Sequence, residues 1–169
     1  MAVVTLVGSL VMDGLDNTPR DLASPGQAGG NVRVWFDTVE VGAADTASST
    51  YLMARLPSNA LILPQSTVYW DDLTTTGSPT VDVGVYNMSG KSDFTDDPDA
   101  LSNGHDVTSA GSGALITQGA SISSYGIPLW DHIASVTTDP KTDVDIKLKL
   151  VDANVVGGGT MSVVILYTE

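Results

Sequence analysis

The sequence contains no cysteine. No disulfide, thiolate nucleophile or cysteine-ligated zinc is therefore available, and stability has to come from packing. Basic residues are scarce as well: seven Lys and Arg stand against twenty acids, for a formal net charge of −13 and a pI near 4.1. They are scattered, and only Lys147 and Lys149 are spaced to share one strand face. A nucleic-acid footprint needs clustered Lys or Arg to displace counterions, so DNA, RNA and anionic membranes are poor partners. Glutamate is nearly missing, since only Glu40 and Glu169 are Glu and the other acids are Asp. Asp competes for backbone hydrogen bonds and favours turns, whereas the plentiful Val and Thr fit a pleated surface, so helix should be a minor component. No long apolar run occurs. The apolar start, Ala2 to Met12, precedes the first basic residue, Arg20. It is too short to span a bilayer and lacks a basic leader, which predicts a strand and not a cleaved signal.

What is present suits one domain. At 169 residues with 42% hydrophobic content, the chain can bury a core and has little room for a second one. Val3 to Met12 is apolar on both alternating faces, as expected of a strand covered on both sides. Asp13 to Asn31 holds Pro19, Pro25 and four glycines without periodicity, a long loop or extended arm. Residues 1–31 thus read as an N-terminal strand and arm, and residues 32–169 as the sandwich. Further strands are expected over Val32 to Val41, Tyr51 to Leu56, Ala60 to Leu63, Ser66 to Leu73, Thr80 to Asn87, Ala114 to Gln118, Ile127 to Val136, Val144 to Val151 and Thr160 to Thr168. Two show the cleanest alternation. Val81, Val83 and Val85 should point inward with Asp82 and Gly84 outward, and Val144, Ile146, Leu148 and Leu150 should point inward with Asp145, Lys147 and Lys149 outward.

Gly157-Gly158-Gly159 reads as the tip of a hairpin joining the last two strands. Between Met88 and Ser112 the chain turns polar. Asp97 as N-cap with Pro98 at the first helical position, stopped by Asn103-Gly104, predicts one or two helical turns there. The expected fold is all-β: an antiparallel two-sheet sandwich, jelly-roll-like, with a long acidic loop carrying at most a short helix.

Chemistry is hard to find in this pattern. His105 and His132 stand apart without a metal-binding or catalytic spacing. No Gly-x-Ser-x-Gly elbow occurs, and Gly111-Ser112-Gly113 lacks the ending that phosphate binding needs. Asp93, Asp96, Asp97 and Asp99 offer oxygen ligands for calcium, but they miss the EF-hand spacing and are read as a solvated loop. Asn87-Met88-Ser89 matches a glycosylation acceptor by chance composition. Trp35, Trp70, Trp130 and the tyrosines are core residues by default, with sugar stacking or interface anchoring as the other uses of such side chains. No catalytic residue, metal or cofactor is expected.

Several phrases in order resemble one group of proteins. They are Ala54-Arg55-Leu56-Pro57-Ser58-Asn59-Ala60 leading to Ile62-Leu63; Val81-Asp82-Val83-Gly84-Val85-Tyr86 followed by the Asp-rich excursion to Asp106-Val107; Leu129-Trp130; Asp139-Pro140; and Gly159-Thr160-Met161-Ser162-Val163 to Tyr167. Together they cover about two-thirds of the chain, and the resemblance is to head decoration, or cement, proteins of tailed bacteriophages. It implies a jelly-roll or sandwich module made in the host cytoplasm, located on the outer capsid surface of the virion. The implied partners are the major capsid protein and further copies of itself, often as a homotrimer. The long Asp13 to Asn31 segment departs from the pattern. Candidate partner-interface residues are Val3, Leu6, Leu10, Met12, Leu15, Arg20, Leu22 and Trp35. The competing expectation is a carbohydrate-binding sandwich or adhesin module, calcium-dependent through the Asp93 to Asp99 loop, with a glycan hydrolase third.

Overall fold

The computed structural model describes residues 30–73, 77–118 and 122–169. The expected strand at Val3 to Met12, and the arm up to residue 29, lie outside the described residues. Nine strands follow in order: β1 (Arg33–Val41), β2 (Thr50–Pro57), β3 (Leu61–Ile62), β4 (Thr67–Trp70), β5 (Thr80–Tyr86), β6 (Asp97–Asp106), β7 (Gly111–Ala114), β8 (Asp143–Val151) and β9 (Gly159–Thr168). One sheet runs β1-β9-β4-β7 with the short β3 also paired to β9, and the other runs β2-β8-β5-β6. All these pairings are antiparallel. Apart from β3, consecutive strands alternate between the sheets except at β5–β6, which is the double-sheet jelly-roll arrangement. The all-β two-sheet expectation is met.

The core lies between the sheets and comes from the alternation. Val81, Val83 and Val85 of β5 and Val144, Ile146, Leu148 and Leu150 of β8 have no solvent exposure, and they meet Met161, Val163 and Ile165 of β9. Every second residue of a strand points one way, so these positions share the inner face.

Four expectations are corrected by the structure. The final two strands do not form a hairpin: β8 belongs to one sheet and β9 to the other, so the triple-glycine segment is a crossover. A turn signal reports that the chain reverses, not which sheet receives it. The helical turns expected after Asp97 are strand β6 instead. Pairing with β5 competes there with the capping signal, and Pro98 is tolerated because β6 is an edge strand with an irregular register. The strand expected over Ile127 to Val136 is a short 3-10 turn at Leu129–His132. Leu129 and Ile133, four residues apart, both plug the core from it. The strand expected at Ala114 to Gln118 is displaced upstream, to β7.

Asp82 and Gly84 do point away from the core, but neither is exposed. The β5–β6 register passes from Val83↔Ser102 to Val85↔Asp97, so five steps of β6 span two of β5. The excess chain folds back over β5. Gly104, at φ +75°, turns the strand and donates its N–H to Asp82 Oδ1 at 2.8 Å. No helix among the described residues is long and apolar enough to cross a membrane.

Candidate interaction surface

Of the residues singled out from sequence, Val3, Leu6, Leu10, Met12, Leu15, Arg20 and Leu22 lie outside the described residues. Trp35 is placed. It sits on β1 at the mouth between the sheets, 37% exposed, and its indole N–H donates to the Met53 carbonyl at 2.8 Å. Trp35 thereby clips the edge strand of one sheet to the edge strand of the other, with part of its ring left in solvent.

The acidic excursion is occupied with its own backbone. Asp96 Oδ1 accepts from the Asn87 N–H at 2.8 Å and from Asn87 Nδ2 at 2.9 Å. Asp97 Oδ2 accepts from the Ala134 N–H, and Asp99 Oδ2 from Asn103 Nδ2. These carboxylates satisfy separate donors and do not converge, and no group of three or more metal-ligating side chains is placed to hold an ion among the described residues. Asn87 also donates to the Phe94 carbonyl at 2.6 Å, so its amide is tied into the loop. Tyr86, buried nearby on β5, has its hydroxyl pushed up to about 12 by desolvation, helped by the charges of Asp96 and Asp82.

Both histidines are half-buried. His105 Nε2 lies 2.9 Å from Ser102 Oγ, and its ring packs on Trp70 with centroids 5.2 Å apart. His132 follows the 3-10 turn residues Leu129 and Trp130, and its buried Nε2 has no hydrogen-bond partner among the described residues. Burial lowers both pKa values, against the opposing charges of Asp82 and Asp131 respectively. The unfolded chain therefore binds more protons than the folded one just below the ordinary histidine value of about 6.5. Stability from these groups is present above that value and lost as pH falls through it towards the folded pKa values. The thermal midpoint should be level above about pH 7 and decline from about pH 6.5 to 5, with a shallower decline in His132→Gln. Calorimetry showing a level midpoint down to pH 5 would contradict this. Asp45, Asp71 and Asp106 add a second, more acidic loss. Hydrogen bonds hold their carboxyls below 3.8, principally from Tyr51, Thr160 and Thr108, and that contribution disappears as pH falls below 3.8.

What remains open is the outer face of the β1-β9-β4-β7 sheet. Register pairs Val34 with Leu166, Phe36 with Val164 and Thr38 with Ser162, and continues from Ser162 to Tyr69 and from Val164 to Thr67. The alternate residues Met161, Val163 and Ile165 are fully buried, which fixes these pairs on the outside. Thr38 Oγ1 and Ser162 Oγ, 2.8 Å apart, confirm the shared face. Phe36 is 77% exposed, Val34 58%, Val32 56% and Tyr69 45%. In a chain carrying twenty acids, no charged side chain interrupts this patch between Val34 and Thr38 on β1 or between Ser162 and Leu166 on β9. An exposed, contiguous apolar face of this kind marks an interaction site more often than scattered single residues do.

Sequence reasoning selects Trp35 and passes over Val34, Phe36 and Val164. A signal is available: Val34-Trp35-Phe36 of β1 and Val163-Val164-Ile165-Leu166 of β9 put apolar residues on both faces of their strands, and a strand needs apolar residues on both faces only when both are covered.

No protein-family model and no curated protein matches the sequence. Solved structures do match in three dimensions. A chain in the capsid of Ralstonia phage GP4 superposes with a TM-score of 0.60 at 20% identity, covering 83% of this chain and 85% of that one. A chain in the capsid asymmetric unit of cyanophage Pam1 superposes with a TM-score of 0.54 at 20% identity, covering 93% of this chain and 99% of that one. At this identity what is shared is the fold.

Proposed function

We propose that the protein is a structural component of a phage virion, binding the outer surface of the assembled capsid and tying neighbouring capsomers together. The observation that carries this is the uncharged apolar face built from Val34, Phe36, Val164, Leu166 and Tyr69 on an otherwise acidic molecule. Likeness to chains found in two phage capsids supports it. The major capsid protein is the proposed partner, a homotrimer the proposed assembly, and the arm residues Leu15, Arg20 and Leu22 further contacts.

The physics of such a role requires no chemistry. A protein that binds the shell and not its separated parts stabilises the shell by mass action, and several linked copies add avidity. The net charge of −13 repels packaged DNA, which favours the outside.

The test uses particles stripped of the protein. Wild type should re-bind to saturation in co-sedimentation and raise the temperature at which the shells rupture. Phe36→Asp and Val164→Asp place a charge where an apolar contact forms. Each should weaken binding by at least about tenfold, the equivalent of roughly 1.4 kcal/mol, while the free protein keeps its near-ultraviolet circular dichroism. Equal occupancy by wild type and both variants would defeat the proposal.

A further inference from the structure

The four edge strands of the sandwich are not alike. β2 carries a register shift between Leu52 and Ala54 and ends at Pro57. β6 has two shifts and includes Pro98. β7 is only four residues long. These are the devices that keep sheet edges from pairing: bulges, proline and shortness. β1 has none of these three, and its charged residues are Arg33, Asp37 and Glu40. It is nine residues long, free of proline and lysine, and in unbroken register with β9 from Arg33↔Tyr167 to Val41↔Gly159. Among the described residues no strand pairs with its second edge.

Apolar side chains stand on both surfaces beside that edge, together with the exposed Asp37 on the inner side and Glu40 on the outer. Val34 and Phe36 flank it outside, and Trp35 and Val39 flank it on the inner side, partly uncovered. A strand added here would need apolar residues on both of its faces, to meet Val34 and Phe36 on one side and Trp35 and Val39 on the other, and about the length of β1. Val3 to Met12 meets each requirement: ten residues, apolar on both alternating faces, without an ionisable side chain.

We infer that β1 is a receiving strand whose open edge takes the Val3 to Met12 segment of a neighbouring copy. Residues 13–31 are long enough to carry the segment to a neighbour. Hairpin partners are joined by ~2 to 5 residues, whereas nineteen intervene here. Extended, they reach roughly 60 Å, beyond the roughly 40 Å width of a sandwich of this size. Copies that each carry −13 repel one another, and the Val3 to Met12 segment, which has no ionisable side chain, is the part of one copy that approaches another at least cost. Exchange of this kind around a symmetry axis closes into a ring. The inference does not depend on capsid binding.

It is tested in solution without capsid. Light scattering on the full chain should give a mass several times that of one copy. Amide hydrogen exchange should show the outward-pointing β1 amides protected to a degree comparable with those facing β9. Leu6→Asp with Leu10→Asp should lower the mass to one copy and speed exchange at those β1 amides by at least tenfold, with the near-ultraviolet spectrum unchanged. A synthetic peptide of residues 2–13 added to the unmodified chain should also lower the mass, a readout that needs no variant to fold. Three results would each overturn the assignment: a monomeric full chain with protected β1 amides, which places the arm on its own sandwich; an oligomer whose β1 amides exchange freely; or an oligomer unaffected by both the double variant and the peptide.

Discussion

Gly84→Val is expected to lose the fold, or to lower the thermal midpoint by about ten degrees or more. Gly84 lies in β5 on the face away from the core, where a β-branched residue would ordinarily strengthen a strand. Here the β6 backbone occupies that space. A Cβ at Gly84 would sit 2.4 Å from the Asp97 carbonyl oxygen and from the carbonyl carbon and oxygen of Pro98. These are main-chain atoms, so no rotamer change relieves the overlap, and β6 would have to separate from β5 along the stretch where Ala100, Leu101 and Ser102 are buried. Overpacking commonly costs about 1 to 3 kcal/mol, and a backbone clash belongs at or above the top of that range. Gly90→Ala is the control. Gly90 has φ +81°, but a methyl group there would meet nothing within 4 Å, so the variant should lose only about 1 kcal/mol, from backbone strain. Melting curves of the two variants that coincide would show that β6 does not lie over Gly84.

Leu148→Ala should be the most damaging truncation in the core, costing about 2 to 5 kcal/mol. β8 is an interior strand, and Leu148 pairs across it with Tyr51 of β2 and Val83 of β5. Its side chain has no exposure and faces the opposite sheet. Removing it takes away transfer free energy and leaves a cavity that the flanking strands, hydrogen-bonded on both sides, can close only partly. Against a typical total stability of about 5 to 15 kcal/mol, this is a large fraction. Urea unfolding should show a midpoint lowered by one molar or more, roughly, with unchanged slope. Leu52→Ala, at a position 51% exposed on β2, should shift the midpoint by less than half as much. Equal shifts would mean that β8 is not the centre of its sheet.

The strands legible in the sequence are those whose alternation is set by one buried face. Val81 to Val85 and Val144 to Leu150 point inward as their spacing requires. The element at Asp97 is not legible in this way, because a helix cap and an edge strand can share the same polar residues, and the choice is made by β5, whose pairing is a tertiary contact. Leu129 to Ile133 misleads because apolar residues two and four apart fit both a strand and a helical turn. On the interaction surface, apolar residues on both faces of β1 and β9 are visible in the sequence, but not which face the core takes.

The composition and the period-two pattern by themselves determined an acidic, cysteine-free, all-β sandwich with its inner residues chosen, because burial of alternate side chains is a local consequence of strand geometry. Only the tertiary structure decided that β8 and β9 part into different sheets, that β6 covers Gly84, and that Phe36, not Trp35, stands furthest into solvent. Those outcomes depend on which strands become neighbours. Pairing joins residues far apart in the chain, and no local spacing encodes it.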